Sequence, residues 1–249
     1  MSSVTSRIKE IKQPRGGFIN PKQFSVNHIE DNITLNPENI NAINIGLAVD
    51  YLTRFMTGSS KETAFDISIR GARNARDFLH CCDLLDCVNG LDNDSIFAAC
   101  QLTGYDVAFR AGMLYFKPVD EIQPDTATIE NVRTMVTRSL AFWKQYGPII
   151  KDGFTFEGGY THIINSGDGD FLTADTLWDF KVSATPPKSN HTLQLLIYYL
   201  MGKHSIHPEF KTITHLGIFN PRLNNVYLLD IDEIPVEVLE TVASEVIGY

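Results

Sequence analysis

The chain has 249 residues, of which 43% are hydrophobic, and a formal net charge of −9 at pH 7. This length and apolar content are enough to bury one large core, with or without an insertion. No apolar run approaches the ~20 residues that a membrane-spanning helix requires, and the polar start MSSVTSRIKEIKQPRGG lacks a hydrophobic signal segment. We therefore expect a cytoplasmic protein with no membrane partner.

The start of the chain predicts a polar lead-in at residues 1–35, followed by a single domain at residues 36–249. The first helix is predicted at about 37–57. Asn36 suits its N-cap, because an asparagine side chain can accept a hydrogen bond from a free amide of the first turn. Pro37 would then occupy the first helical position, where proline is favoured.

Helical patterns continue through the middle of the chain. One extends over about 64–104 with breaks at turn residues, and a long amphipathic pattern extends over 126–146. The second pattern is ended by Gly147-Pro148, since proline cannot continue a helix. Residues 60–146 are therefore predicted to form a helical elaboration.

The last hundred residues predict a sheet. Short apolar segments bounded by turn residues are typical of strands. Strands are predicted near 153–157, 160–165, 168–172, 177–183, 213–219 and 226–230, with helices at 190–203 and from Pro235 onward. This order indicates an α/β fold.

The segment 167–199, GDGDFLTADTLWDFKVSATPPKSNHTLQLLIYY, carries most of the candidate chemistry. Its TADT sequence has the turn-forming character that joins two antiparallel strands, so a hairpin would bring Asp170 beside Asp179. Because side chains alternate along a strand, Asp179 and Lys181 leave the same face, and Trp178 leaves the opposite one. The pattern predicts two carboxylates and an amine at one place.

Two carboxylates so close repel each other unless a proton or a divalent cation lies between them. Oxygen ligands of this kind suit Mg²⁺ or Mn²⁺, which keep several waters and also bind phosphate. A calcium loop of the EF-hand type is excluded, because its fifth and sixth positions, counted from Asp168, would be Leu172 and Thr173. A solvent-exposed hairpin is the other alternative, although Asp179 and Lys181 stand in an otherwise apolar strand.

Three motifs resemble those of the PD-(D/E)xK nucleases. Gly167-x-x-Asp170 is similar to the second motif of this family, and Asp179-x-Lys181 is similar to its (D/E)xK core. Gln194-x-x-x-Tyr198 resembles the QxxxY helix of the RecB-like exonuclease branch. The resemblance implies a restriction-endonuclease-like fold, which is a central mixed sheet flanked by helices. It also implies metal-dependent hydrolysis of DNA phosphodiester bonds by an exonuclease-like enzyme.

The resemblance further implies a set of metal ligands. Asp170 and Asp179 would bind Mg²⁺ or Mn²⁺, with the Phe180 carbonyl as a possible further ligand. Asp50, in the segment INIGLAVDYLTRF, stands where RecB-like proteins often have a histidine, and would complete the shell. Asp168 is the alternative to Asp170. Two residues could substitute for Asp50 if it lies elsewhere: Glu157 and His162.

Lys181 would position the attacking water or stabilise the negative charge that builds on the phosphorane. Gln194 and Tyr198 lie four residues apart on an apolar helix and share one face with His191. The resemblance assigns them to positioning the substrate or the active-site residues. Packing in a buried core helix is the alternative for this pair.

The net charge of −9 is an objection to a nucleic-acid partner, because phosphate contacts require lysine and arginine. Arg70, Arg73 and Arg76 recur at helical spacing and would form one ridge, although a solvated charged face is equally consistent with the pattern. We expect DNA to be bound with modest affinity or with an accessory protein partner. An inactive nuclease-fold binding module and a different phosphodiesterase are the alternatives, and no oligomeric state is predicted.

The four cysteines, Cys81, Cys82, Cys87 and Cys100, fit a reduced compartment. Some RecB-like proteins bind an iron–sulfur cluster through cysteines that follow the QxxxY helix, but here all four precede it. Free thiols in an apolar helical pattern such as FLHCCDLLDCV are ordinary core residues. A cluster, or a zinc site near His80, is the less favoured alternative.

Overall fold

The computed structural model describes residues 2–249. The chain divides into two compact units. One contains the residues up to Glu30 together with 143–249, and the other contains residues 31–142. The predicted lead-in thus lies mostly in the first unit, where it contributes one helix and two strands.

The helices and strands are named in chain order. The helices are α1 (Val4–Glu10), α2 (Ala42–Met56), α3 (Lys61–Ala64), α4 (Asp66–Asn74), α5 (Phe78–Cys87), α6 (Asn93–Leu102), α7 (Asp106–Arg110), α8 (Thr126–Tyr146), α9 (Ser189–His204) and α10 (Val236–Thr241), which continues as a π-helix over Val242–Ile247. The strands are β1 (Ser2–Ser3), β2 (Ser25–His28), β3 (Lys151–Phe154), β4 (Ile164–Ser166), β5 (Gly169–Leu172), β6 (Thr176–Phe180), β7 (His215–Asn220) and β8 (Asn225–Asp230).

The first unit is built on a six-stranded mixed sheet with the order β2-β8-β7-β6-β5-β3. β6 and β7 are parallel and the other pairs are antiparallel. A parallel pair requires a crossover connection, and α9 provides it between β6 and β7. The predicted α/β class, with a mixed sheet flanked by helices, is confirmed.

The two faces of the sheet carry different side chains because residues alternate along each strand. Leu172 and Leu177 face the large core that includes Leu193, Leu196 and other residues of α9. On the opposite face, Trp178 packs edge-to-face against Trp143, with ring centroids 6.4 Å apart. Asp179 follows Trp178, so its side chain points to the α9 face.

Residues 2–30 join this unit through a few buried apolar side chains. Val4 and Ile8 lie one helical turn apart on α1 and are buried in the same core as α9. Strand β2 pairs with β8 at the edge of the sheet, with Ser25 opposite Leu228. All four residues of β2 are exposed. Because no side chain of β2 is buried, its sequence SVNH does not need the apolar alternation that indicates a strand.

The strand predicted at 160–165 is placed differently by the structure. The strand observed there is β4, at Ile164–Ser166, which pairs in parallel with β1 in a separate two-stranded sheet. Thr161 instead forms a turn in which its amide donates to the Ile164 carbonyl. A distant segment, not the local pattern, therefore sets the position of this strand.

The second unit consists of the helices α2 to α7 and most of α8. Helix α2 begins later than predicted, because its N-cap is Asn41, whose side chain accepts from the Ile43 amide at 2.8 Å. Asn36 lies outside the helix. Its amide and its carbonyl are both bound by the side chain of Asn131, at 2.9 and 2.7 Å, which holds the segment outside a helix.

A buried carboxylate ties three helices of this unit together. Asp106 is 2% exposed and accepts hydrogen bonds from Tyr51 at 2.5 Å and from Ser68 at 2.6 Å. Burial raises the pKa of Asp106, and these hydrogen bonds and the nearby Arg110 oppose that rise.

Within residues 2–249, no helix combines the length and hydropathy needed to cross a bilayer.

Candidate metal centre

The predicted hairpin is confirmed by the pairing of β5 with β6. The strands are antiparallel, with Phe171 opposite Trp178 and Leu172 opposite Leu177. The Thr173 amide donates to the Thr176 carbonyl at 3.0 Å and closes the turn. Continued by one residue, this register sets Asp170 opposite Asp179.

A main-chain hydrogen bond fixes the carboxylate of Asp170 against the neighbouring strand. The Phe180 amide donates to Asp170 Oδ2 at 2.8 Å. Asp168 is exposed and precedes the first residue of β5, so it lacks this anchoring within the hairpin. The geometry favours Asp170 over Asp168 as the carboxylate beside Asp179.

Asp179 is a buried carboxylate with a cation beside it. Its residue exposure is 2%, and Lys181 Nζ lies 2.9 Å from Oδ1 and 2.8 Å from Oδ2. Only the Oδ1 contact has hydrogen-bond geometry, and Oδ2 accepts no hydrogen bond from residues 2–249. Burial raises the pKa of Asp179 to about 6. The Lys181 charge opposes this rise and the Asp170 charge adds to it.

The Gln194–Tyr198 pair lies on α9, the helix that contacts β6, the strand of Asp179. Gln194 Nε2 donates to the Tyr198 hydroxyl at 2.8 Å, and the tyrosine is 4% exposed. Burial raises the pKa of Tyr198, the Gln194 hydrogen bond opposes that rise, and the charges of Asp179, Asp170 and Asp168 add to it. Tyr198 therefore packs in the core, within reach of the carboxylate charges.

His191 lies one turn before Gln194 on α9, as the spacing predicts. Its Nδ1 accepts from the Lys188 amide at 3.2 Å, so a neutral ring carries its proton on Nε2. Burial lowers the pKa of His191 to about 4, and the charges of Lys181 and Lys188 lower it further. No sequence motif marks a role for this imidazole, although its spacing from Gln194 indicates the shared face.

The predicted third ligand belongs to the other unit. Asp50 lies in α2, where Arg54 Nε donates to its Oδ1 at 3.0 Å. Its place in the shell stays a prediction. Of the two substitutes, His162 is exposed, and Glu157 is exposed and lies 3.4 Å from the ring of His207.

The donor set of the hairpin fits a hydrated hard cation. Within the described part of the chain, no group of three or more His, Cys, Asp or Glu side chains is arranged to hold a metal. Magnesium, however, is commonly held by one or two carboxylates and keeps several waters. Asp170 and Asp179 offer these, Asp179 Oδ2 is buried without a donor, and the Phe180 carbonyl stays a predicted ligand.

The cysteines are free thiols in the second unit. Cys81 and Cys100 are buried, Cys82 is half-buried and Cys87 is exposed. Burial raises the pKa of both Cys81 and Cys100 to about 12, so these two thiols are protonated at neutral pH. Metal ligation requires the thiolate, which burial of this kind opposes.

Comparisons with known proteins identify no relative. No protein-family model matches the chain, and searches of curated proteins and of solved structures find no significant match. The resemblance to the PD-(D/E)xK nucleases therefore rests on the three motifs and on their geometry.

Proposed function

We propose that this protein is a metal-dependent deoxyribonuclease, exonuclease-like, with a restriction-endonuclease-like fold. The observation that carries the proposal is the cluster formed by Asp170, Asp179 and Lys181 at one end of the β5–β6 hairpin. Asp179 is 2% exposed yet lies beside a second carboxylate and a lysine amine. Burying a carboxylate costs free energy unless a cation or a hydrogen bond compensates for it. A buried carboxylate next to a second one is therefore typical of a site that binds a ligand.

The two carboxylates would hold Mg²⁺ or Mn²⁺. The bound ion would polarise the scissile phosphate and lower the pKa of its water. The protein contributes the position of its ligands: strand pairing sets Asp179, and the Phe180 amide orients Asp170 at 2.8 Å. Such fixed ligands need no rearrangement when substrate binds.

Lys181 would act on the substrate. Its side chain is 23% exposed, whereas that of its partner Asp179 is 2% exposed, so the amine lies at the boundary between the buried site and solvent. From there it can orient a water or stabilise negative charge on the phosphorane. The contact with Asp179 keeps the amine directed to the site.

Gln194 and Tyr198 would position the substrate backbone or the carboxylates. Their mutual hydrogen bond of 2.8 Å fixes the amide on the face of α9 that borders the site. His191 lies on the same face, with its Nε2 proton available for donation. These groups offer neutral donors next to an acidic centre.

The test is hydrolysis of labelled single- and double-stranded DNA by the purified chain with Mg²⁺ or Mn²⁺. We expect products that shorten from one end, activity that EDTA abolishes, and no activity in Asp170→Asn or Asp179→Asn. A wild type that is inert on every substrate and with either metal would contradict the proposal. Activity that persists in Asp179→Asn would also contradict it.

The second candidate is an inactive nuclease-fold binding module. Lys181 Nζ contacts both oxygens of Asp179, at 2.9 and 2.8 Å, and so lies where a metal would otherwise compete for them. This candidate predicts that Mn²⁺ leaves the melting temperature unchanged while DNA or a protein partner is still bound. A cytoplasmic location and an accessory partner stay predictions under either function.

A further inference from the structure

The second unit has a face that exposes several large apolar side chains. It is formed by α4, by α7 with the turn that follows it, and by the start of α5, and α4 packs against both of the other helices. The exposed apolar residues and their exposures are Phe78 (39%), Leu79 (81%), Phe109 (42%), Met113 (48%), Leu114 (88%) and Tyr115 (66%). A patch of this kind on a folded unit indicates a binding surface.

Two arginines of α4 lie over the aromatic rings of this face. Arg70 Cζ is 5.7 Å from the centroid of the Phe109 ring, and Arg73 Cζ is 5.1 Å from that of Phe78. Residues three apart share one side of a helix, so the two guanidinium–phenyl pairs form a row. We call Arg70, Arg73, Phe78 and Phe109 the stacked row. Each pair restrains two flexible side chains before any partner binds.

The charge of this face is opposite to that of the whole chain. Segments 67–76 and 107–119 contain five basic residues and no acidic one, while the chain as a whole has a net charge of −9. The basic residues are Arg70, Arg73, Arg76, Arg110 and Lys117. Four acidic residues border the segments: Asp66, Asp77, Asp106 and Asp120. Asp66 pairs with Arg70 at 2.9 Å and Asp106 with Arg110 at 3.5 Å. Five basic against four acidic residues leave this face with an excess of one positive charge, on a chain that is acidic as a whole.

We propose that the stacked row binds single-stranded nucleic acid. Unstacked bases would lie on the parts of the Phe78 and Phe109 rings that the guanidinium groups leave exposed, and the guanidinium groups of Arg70 and Arg73 would contact phosphates. Aromatic side chains alternating with cations are the usual means of binding a single strand without sequence preference. A duplex does not offer its base faces, so the aromatic contacts select the single-stranded form. This inference rests on the proposed function insofar as it takes the substrate to be a nucleic acid.

A protein partner is the competing occupant, because Leu79 and Leu114 are aliphatic and almost fully exposed. Such side chains suit a protein interface. The stacked row favours the nucleic acid instead, since it sets two guanidinium groups beside two aromatic rings, the pair of groups that binds phosphates and bases. The two occupants differ in what replacing phenylalanine by leucine does: it removes the aromatic face but keeps an apolar surface.

The test measures binding without hydrolysis. Fluorescence anisotropy of labelled dT20, rU20 and a DNA duplex is recorded with the full chain in EDTA at several salt concentrations. We expect the wild type to prefer the single strands. The Phe78→Leu/Phe109→Leu variant should raise Kd at least about tenfold with an unchanged salt slope. The Arg70→Ala/Arg73→Ala variant should reduce the slope of log K against log salt by about 1.4, as expected for two lost phosphate contacts.

The matched control is Lys9→Ala/Lys12→Ala, which removes two exposed cations from the other unit. It should keep the slope and the affinity of the wild type. All variants are checked by thermal melting, and the single variants replace any double variant that melts early. Equal affinity for duplex and single strands overturns the inference, as do variants that bind like the wild type. If a protein partner is bound by the wild type and by both row variants but not by Leu79→Asp/Leu114→Asp, the inference is overturned and the face is assigned to protein.

The outcomes separate this inference from the proposed function. Binding in EDTA that depends on the stacked row, without hydrolysis in Mn²⁺, supports the surface and contradicts the nuclease. Hydrolysis of a dilute single strand that is as fast in both row variants as in the wild type supports the nuclease and overturns the surface.

Discussion

The amide of Phe180 donates to Asp170 Oδ2 at 2.8 Å, so the strand that carries Asp179 also binds the carboxylate next to it. One backbone thereby positions both acidic groups of the candidate centre. The arrangement concentrates negative charge around Asp179, a residue that is 2% exposed.

The first prediction concerns metal binding. Mn²⁺ should raise the melting temperature of the wild type, because a ligand that binds only the folded state stabilises it. Asp170→Asn and Asp179→Asn should each lose most of this shift. The control is Asp175→Asn, which changes an exposed carboxylate in the turn of the same hairpin and should keep the full shift. Equal shifts in all four proteins would contradict the metal centre.

The second prediction concerns the cost of the buried charge. The pKa of Asp179 is raised to about 6 from its ordinary value of 3.8. The folded state therefore loses stability as the pH rises through that interval. In EDTA at pH 7, Asp179→Asn should be more stable than the wild type by up to about 3 kcal/mol, the equivalent of two pKa units. The gain should disappear toward pH 4.

Urea unfolding at several pH values measures this difference. Asp175→Asn is again the control, and its stability relative to the wild type should not follow the same pH dependence. A variant of Asp179 that is less stable than the wild type at pH 7 would show that the contact with Lys181 outweighs burial.

The third prediction concerns Lys181. Lys181→Ala should reduce DNA hydrolysis by at least about 100-fold, the scale of one lost transition-state stabiliser. Because the lysine contacts a buried carboxylate at 2.8 Å, its loss should also raise the pKa of Asp179 further and shift the acidic limb of the pH–rate profile upward. Lys203→Ala, an exposed lysine on α9, should behave like the wild type. Wild-type rates in Lys181→Ala would remove Lys181 from the site.

The fourth prediction separates packing from positioning at Gln194 and Tyr198. Tyr198→Phe keeps the ring that packs against Phe156, whose centroid is 5.0 Å away, but removes the acceptor of the Gln194 amide. An unpaired, partly buried amide should cost about 1 kcal/mol. The Gln194→Leu/Tyr198→Phe variant has no polar group left unpaired and should recover most of that stability.

Activity should not recover in the double variant if the pair positions the substrate or the carboxylates. Steady-state hydrolysis and urea unfolding of the same three proteins provide the comparison. A double variant with wild-type stability and wild-type activity would assign the pair to core packing alone.

Several elements could be predicted because their signals are local. The pattern over 126–146 predicts the bounds of α8, which is observed at Thr126–Tyr146 and stops before Gly147-Pro148. The β5–β6 hairpin was predicted from a turn between two apolar runs, and α9 was predicted to within one residue at each end. Periodicity and turn chemistry depend only on neighbours in the chain. The sequence therefore carried the relation between Asp170, Asp179 and Lys181.

Other features were decided by segments that are distant in sequence. Strand β2 exists because Ser25–His28 pairs with β8, and all four of its residues are exposed, so no apolar pattern marked it. The late start of α2 depends on the side chain of Asn131, which binds the backbone of Asn36. Both contacts join residues about a hundred or more positions apart, and no local propensity encodes them.

The sequence by itself determined the α/β class, the long helix α8 and the hairpin that pairs Asp170 with Asp179, because turns and periodicities act over a few residues. Only the tertiary structure decided how far Asp179 is buried and that the first thirty residues join the sheet unit. It also brought the aromatic rings of Phe78 and Phe109 to the arginines of α4. Burial and ring contacts arise when separate helices and strands pack together, which requires the whole fold.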